Sequence, residues 1–187
     1  MSDIKETAKD YFTSADFKPD ELMDKLSEFL TVEEGGVKLY EAALKLVHNR
    51  EVKEKFHEFH AQTMRHVEIL TDIVEKLGGK PSYRSVGAKI ADEKAKALLK
   101  TMTESKSMSR DEAELNAIEN IVIAETKDHA DWELLGHIAH RSEDSKLSQL
   151  LKPAVSEVEG QEDEHLNWTS KKMGELALAA LEKDGKR

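Results

Sequence analysis

The sequence predicts an all-α protein of four long amphipathic helices, with a long helical crossover between the second and third and a short helix ahead of the first. Three observations carry that expectation. Only three prolines and nine glycines punctuate 187 residues rich in Ala, Glu, Lys and Leu, which are good helix formers. Four stretches repeat apolar residues at spacings of three and four, the period of a helix with one buried face. The stop signals fall between those stretches, most firmly at Gly78-Gly79-Lys80-Pro81. A chain of this length is expected to fold as a single domain over residues 1–187 with a sizeable core.

The N-terminal segment, residues 1–19, contains a short amphipathic stretch from Ile4 to Phe17 whose Phe12 and Phe17 can pack onto a larger body. Pro19 suits the first turn of a helix, and the first bundle helix is expected over 20–48, with Leu22, Leu26, Phe29, Leu30, Val37, Tyr40, Leu44 and Val47 on its apolar face. The second, over 51–78, carries Val52, Phe56, Phe59, Thr63, His66 or Val67, Leu70, Val74 and Leu77. Residues 80–108 form the crossover, with a helix of its own from Val86 to Met102. It is far longer than the roughly 2–8 residues that usually join neighbouring bundle helices, so it can carry the chain back along the whole bundle. Ser109 and Glu112 fit a capping box that opens the third bundle helix, 109–141. The fourth spans 143–182 and has Pro153 near its start, tolerable in a first turn or at a kink.

Each long helix carries an inward-facing Glu or His near its midpoint. The first has Glu33, with Tyr40 two turns on; the second has His66, preceded by Gln62 and Thr63; the third has Glu125 and His129; the fourth has Glu162 and His165. A buried carboxylate or imidazole is costly without a partner, and a metal ion is one such partner. Glu-x-x-His on an inner face presents two ligands from one helix. One such motif is weak evidence among 38 acidic residues and 8 histidines, and Glu54-x-x-His57 is a chance match, but four polar interruptions at similar depth are not commonplace. The candidate ligands are Glu33, His66, Glu125, His129, Glu162 and His165, with Tyr40 beside them. His48 and His140 read as helix C-terminal residues, His57 and His137 as surface residues, and Trp132 and Trp168 as packing. Gly35-Gly36, inside the first helix, reads equally as a close helix contact or as a small passage beside the site, since each Gly costs about 1 kcal/mol there relative to Ala.

From about Asp20 to Leu176 these residues resemble the ferritin-like di-iron carboxylate superfamily. Glu33-x6-Tyr40 looks like that family's first-helix Glu followed by a supporting Tyr, Glu125 like its third-helix Glu, and Glu162-x-x-His165 like its fourth-helix pair. The stretch from Phe59 to Val67 also looks like small bacterial ferritin-like stress proteins. One departure stands out: Thr63-x-x-His66 takes the place of the family's Glu-x-x-His on the second helix. Gln62, His129 or Glu159 are the candidates to complete the shell.

Composition narrows the functions. A net charge of −10 disfavours nucleic acid and anionic membrane surfaces as partners. Without cysteine there is no thiolate site, no disulfide and no Cys-x-x-Cys electron-donor domain, and no haem motif is found. No apolar run approaches a membrane span, and Asp3 and Glu6 do not belong in a signal peptide, so the expected address is the cytoplasm. Carboxylate and imidazole ligands suit iron or manganese, with zinc as a non-redox occupant. The resemblance implies iron oxidation or handling, peroxide detoxification, or oxygen-dependent attack on a substrate, with dioxygen or peroxide as partner and a homo-oligomer as a further possibility. The alternative class is a metal-free bundle with a stress or interaction role.

Overall fold

In the computed structural model, which describes residues 11, 17–104, 107–142 and 145–182, five helices and no strand are found among the described residues. They are α1 (Pro19–Ala43), α2 (Arg50–Lys76), α3 (Val86–Glu104), α4 (Arg110–Arg141) and α5 (Lys146–Leu181). The four predicted bundle helices and the crossover helix are present, with shifted ends. Most of the stretch Ile4–Phe17 lies outside the described residues, although Tyr11 and Phe17 pack against the core.

The ends follow local chemistry. Pro19 sits in the first turn of α1. The helix stops five residues before the expected end at residue 48, because the backbone N–H groups of His48 and Asn49 donate to Glu114 Oε1 at 2.8 and 2.7 Å and pull the chain onto α4. The His48 ring also lies 3.0 Å from Asp111 and 3.3 Å from Glu114, against the start of α4. Helix α2 ends in a Schellman motif: Gly78 has φ 79°, and Gly79 N–H bonds Val74 C=O while Gly78 N–H bonds Glu75 C=O. The capping box at Ser109 and Glu112 forms as expected. Of the two places expected for Pro153, the first turn is not the one found: it lies inside α5 beyond that turn, where it removes one main-chain donor from the helix.

Side-chain pairings fix the directions. Tyr40 meets Glu125 while Glu33 meets Trp132, so α1 and α4 are antiparallel; His66 meets Gln161 while Gln62 meets His165, so α2 and α5 are antiparallel. The crossover helix α3 runs along the outside of α1 in the same direction, with Ser85 near Ser27 and Ala95 near Gly35. It returns the chain so that α4 runs parallel to α2. A Cβ on Gly35 would lie 3.0 Å from Ala95 Cβ, and one on Gly36 would lie 3.2 Å from Thr63 Cγ2. Close helix contact therefore accounts for both glycines.

The apolar core is divided. One cluster gathers Leu26, Leu30, Leu70, Ile73, Leu135, Leu147 and Leu151 at one end of the bundle, and another gathers Tyr40, Phe56, Phe59, Ile118 and Ile121 at the other. Between them lies a layer of buried polar side chains: Glu33, Thr63, His66, Glu125, Asp128, Glu162 and His165. Packed apolar layers on both sides keep water from that layer.

Candidate metal centre

Five of the six predicted ligands converge, and they do so as two overlapping trios. Glu33, His66 and Glu162 form one, and Glu125, Glu162 and His165 the other, each offering ligand atoms within 4.8 Å of one another. Glu162 belongs to both. His66 Nδ1 lies 3.0 Å from Glu162 Oε1 and 3.3 Å from Glu33 Oε1; His165 Nδ1 lies 3.5 Å from Glu162 Oε1 and 3.3 Å from Glu125 Oε2.

A second set of residues holds the first in place, and every hold crosses to the opposite helix. The Tyr40 hydroxyl on α1 donates to Glu125 Oε1 on α4 at 2.7 Å, while the Trp132 indole N–H on α4 donates to Glu33 Oε1 on α1 at 2.6 Å. Trp132 is therefore more than the packing residue the sequence suggests. His66 Nε2 meets Gln161 Oε1 at 2.8 Å, and His165 Nε2 meets Gln62 Oε1 at 2.7 Å. With the amide oxygens accepting, both Nε2 atoms carry hydrogen, which leaves each Nδ1 as the atom that faces the carboxylates. Gln62 is thus a support for His165 rather than a member of the inner set.

The sixth predicted ligand does not join them. His129 turns to the surface and pairs with Asp163 at 2.8 Å. From Glu125, a step of four residues rotates past the inward face, whereas a step of three stays on it, and the residue there is Asp128, only 4 % exposed. Glu159 is exposed and takes no part. Thr63 is buried, but its hydroxyl is used within α2, donating to Phe59 C=O at 2.9 Å.

The charge balance is the feature that most needs an explanation. Glu33, Glu125, Asp128 and Glu162 are buried with only His66 and His165 as buried basic side chains, so even two imidazoliums leave a formal deficit of −4 + 2 = −2; no Lys or Arg is among the buried polar residues. Apart from the close Nδ1–carboxylate approaches already described, seven side-chain atoms there have no hydrogen-bond partner: Glu33 Oε2, His66 Nδ1, Glu125 Oε2, Asp128 Oδ1, both oxygens of Glu162, and His165 Nδ1. The proton affinities show the strain. Burial pushes Glu162 up to about 7, only partly offset by His66. Burial also pulls His66 down, yet the Glu162 and Glu33 carboxylates outweigh it and lift the imidazole to about 10. Asp128 is raised well above the usual carboxylate range by burial and by Glu33, Glu162 and Glu125. Tyr40 is raised likewise by burial and by Glu125, so it stays a hydrogen-bond donor. Divalent cations would neutralise this centre and employ the unpartnered atoms, so the residues fit a metal site. A surface groove of about 480 Å³ between α1, α3 and α4, lined by Val32, Leu39, Ile90 and Leu98 among others, touches none of these residues.

The helical bundle has counterparts among solved structures. YcfI of Rhodopseudomonas palustris superposes with a TM-score of 0.65 at 16 % identity, covering 86 % of this chain and 98 % of that one. A dodecameric thioferritin of Bacteroides fragilis, a bacterioferritin-related protein, superposes with a TM-score of 0.52 at 13 % identity, covering 95 % and 99 %. The fold is therefore ferritin-like. No curated protein matches the sequence. Residues 18–157 match DUF892, a domain of unknown function, and the chain belongs to that family. The matched region includes Glu33, His66, Glu125 and Asp128 but ends before Glu162 and His165.

Proposed function

We propose that this protein is a non-haem di-metal carboxylate protein that binds two iron or manganese ions and serves in iron oxidation or peroxide detoxification. The observation that carries the reading is Glu162, a buried carboxylate shared by two trios, whose Oε2 has no partner and whose Oε1 is approached by both His66 Nδ1 at 3.0 Å and His165 Nδ1 at 3.5 Å. Iron or manganese, when bound, supplies a change between the +2 and +3 states suited to oxygen or peroxide. The chain supplies the rest. Tyr40 fixes Glu125 Oε1 and leaves Oε2 facing His165 at 3.3 Å, while Trp132 fixes Glu33 Oε1, the oxygen that also lies 3.3 Å from His66, and leaves Oε2 without a partner. Gln161 and Gln62 fix the histidine rings, and Phe59 packs its ring 4.3 Å from that of His165, which keeps the half-site dry.

Assembly into a homo-oligomer belongs to the same proposal, supported by the dodecameric neighbour. So does a cytoplasmic address; no helix among the described residues is long and apolar enough to cross a membrane. A second reading, a metal-free bundle, is favoured by Thr63 and by the ability of His66 to hold a proton against two carboxylates. Elemental analysis separates the two. Protein produced in medium supplemented with iron and manganese is expected to carry metal approaching two ions per chain. Metal near zero that reconstitution fails to raise would decide for the metal-free bundle.

A further inference from the structure

The waist of the bundle has an internal quasi-two-fold relation, and it identifies the carboxylate that answers for Thr63. On α1 and α4 the spacings match: Glu33-x6-Tyr40 and Glu125-x6-Trp132, each pair reaching across to the other's Glu. On α2 and α5 they match again: Gln62-Thr63-x-x-His66 and Gln161-Glu162-x-x-His165, with crossed Gln–His bonds. Superimposing the two halves equates Thr63 with Glu162, where a carboxylate is lost. It also equates Gly36 with Asp128, the residues three after Glu33 and Glu125, where a carboxylate is gained.

We propose that Asp128 is the fourth carboxylate ligand of the centre, entering from α4 in place of the one missing at Thr63. The proposal rests on the di-metal reading above and adds to it. Asp128 follows Glu125 by one turn on the same inward face and is 4 % exposed. Its Oδ1 is buried without a hydrogen-bond partner, as are Oε2 of Glu33 and Oε2 of Glu125 in the two trios. The antiparallel register set by Tyr40–Glu125 and Glu33–Trp132 places Asp128 level with Gly36 and Val37 on α1, midway between the two cross-bonds. Gly36 contributes no side chain at that level, and Thr63 contributes only its methyl toward it. Asp128 belongs to neither tight trio, although it stands on the same α1–α4 wall as Glu33 and Glu125, which do. The inventory then returns to four carboxylates and two imidazoles, the set for two divalent ions.

The test is a titration of chelated, metal-free protein with Mn2+ under argon, followed by calorimetry and by elemental analysis of the desalted product, with circular dichroism to confirm folding. Wild type is expected to take up two ions per chain. Asp128→Asn, which keeps the shape and removes the charge, is expected to lose one ion or to bind it at least about tenfold more weakly. Adding Thr63→Glu to Asp128→Asn is expected to restore the second ion. Wild-type stoichiometry and affinity in Asp128→Asn would overturn the role of Asp128 while leaving the di-metal reading intact. A folded double variant still limited to one ion would overturn the exchange between the two positions. Absence of binding by wild type itself would overturn the reading on which both depend.

Discussion

The half of the waist built on Glu33 and His66 and the half built on Glu125 and His165 share their supports but not their charges. Both halves hold a Glu by a donor seven residues along the facing helix, and both hold a His by a facing Gln. The Glu33 half then has Gly36 and Thr63 where the Glu125 half has Asp128 and Glu162. What is common to the halves is orientation of ligands; what differs is where the negative charge enters. Orientation must be duplicated if two ions are to be held, whereas charge near the midline serves both ions from either side. That is why a carboxylate can leave α2 if another arrives on α4.

The strongest way to break the comparison is to remove the residue that both halves use. Glu162→Gln eliminates the shared carboxylate from the two trios at once, and it is expected to abolish binding of both ions by elemental analysis and calorimetry. The fold should survive. Relieving an uncompensated buried charge is expected to leave the melting temperature of the metal-free protein unchanged or to raise it. Retention of two ions by a folded Glu162→Gln protein would show that Glu162 is not the bridge.

Smaller effects come from weakening one half's supports while sparing its ligands. Trp132→Phe releases Glu33, and Tyr40→Phe releases Glu125. Each removes a hydrogen bond to a carboxylate, of the order of 1.5–3 kcal/mol. Each is expected to lower metal affinity by about 10–100-fold at one ion and to leave the other nearly unaffected. Two-step isotherms distinguish the halves: the variants should weaken different steps. If both variants weaken both steps equally, the halves are not independent and the quasi-symmetric account is wrong.

Much of this was legible in the sequence, and the parts that were not have physical reasons. The helices, the crossover and the capping box follow from periodicity and local chemistry, which act over a few residues. Glu33, His66, Glu125, Glu162 and His165 stand out because each interrupts an apolar stripe. Asp128 does not stand out. It lies on a face of α4 that also buries Glu114, Asn120 and Asp131, because α4 packs against three other helices rather than one, so a further acid there reads as surface. His129 misleads for the same reason: a four-residue step from Glu125 looks equivalent to a three-residue step until the neighbours define which side is inward. Trp132 and the two glutamines act through long-range cross-bonds between α1 and α4 and between α2 and α5, separated by 95 to 103 residues, which no local pattern records. The internal matches of Gln62-x3-His66 with Gln161-x3-His165 and of Glu33-x6-Tyr40 with Glu125-x6-Trp132 are the sequence signals that point to them.

The smallest expected effect, and the one that needs no substitution, is the pH dependence of stability. In the metal-free protein the folded state holds the His66 proton up to about pH 10, against an ordinary value of 6.5. That stabilisation is fully present below 6.5 and is lost as pH rises toward 10. Glu162 is raised from 4.5 to about 7, so its burial costs nothing below 4.5 and its full penalty is reached above 7. Asp131, raised by burial from 3.8 to about 6 despite its Lys127 partner, acts the same way at lower pH. All three groups bind protons more tightly in the folded state, so all three make stability fall as pH rises. The bound ions act oppositely: their ligands must be deprotonated, so affinity rises with pH, and the stabilisation by a fixed excess of metal grows with it. Thermal melts between pH 5.5 and 8.5 are therefore expected to show the metal-free melting temperature declining by several degrees and the gap to the Mn2+-loaded protein widening. A metal-free melting temperature that rises with pH across that window, or a gap that narrows, would mean that the carboxylates and imidazoles at the waist are not what the added metal binds.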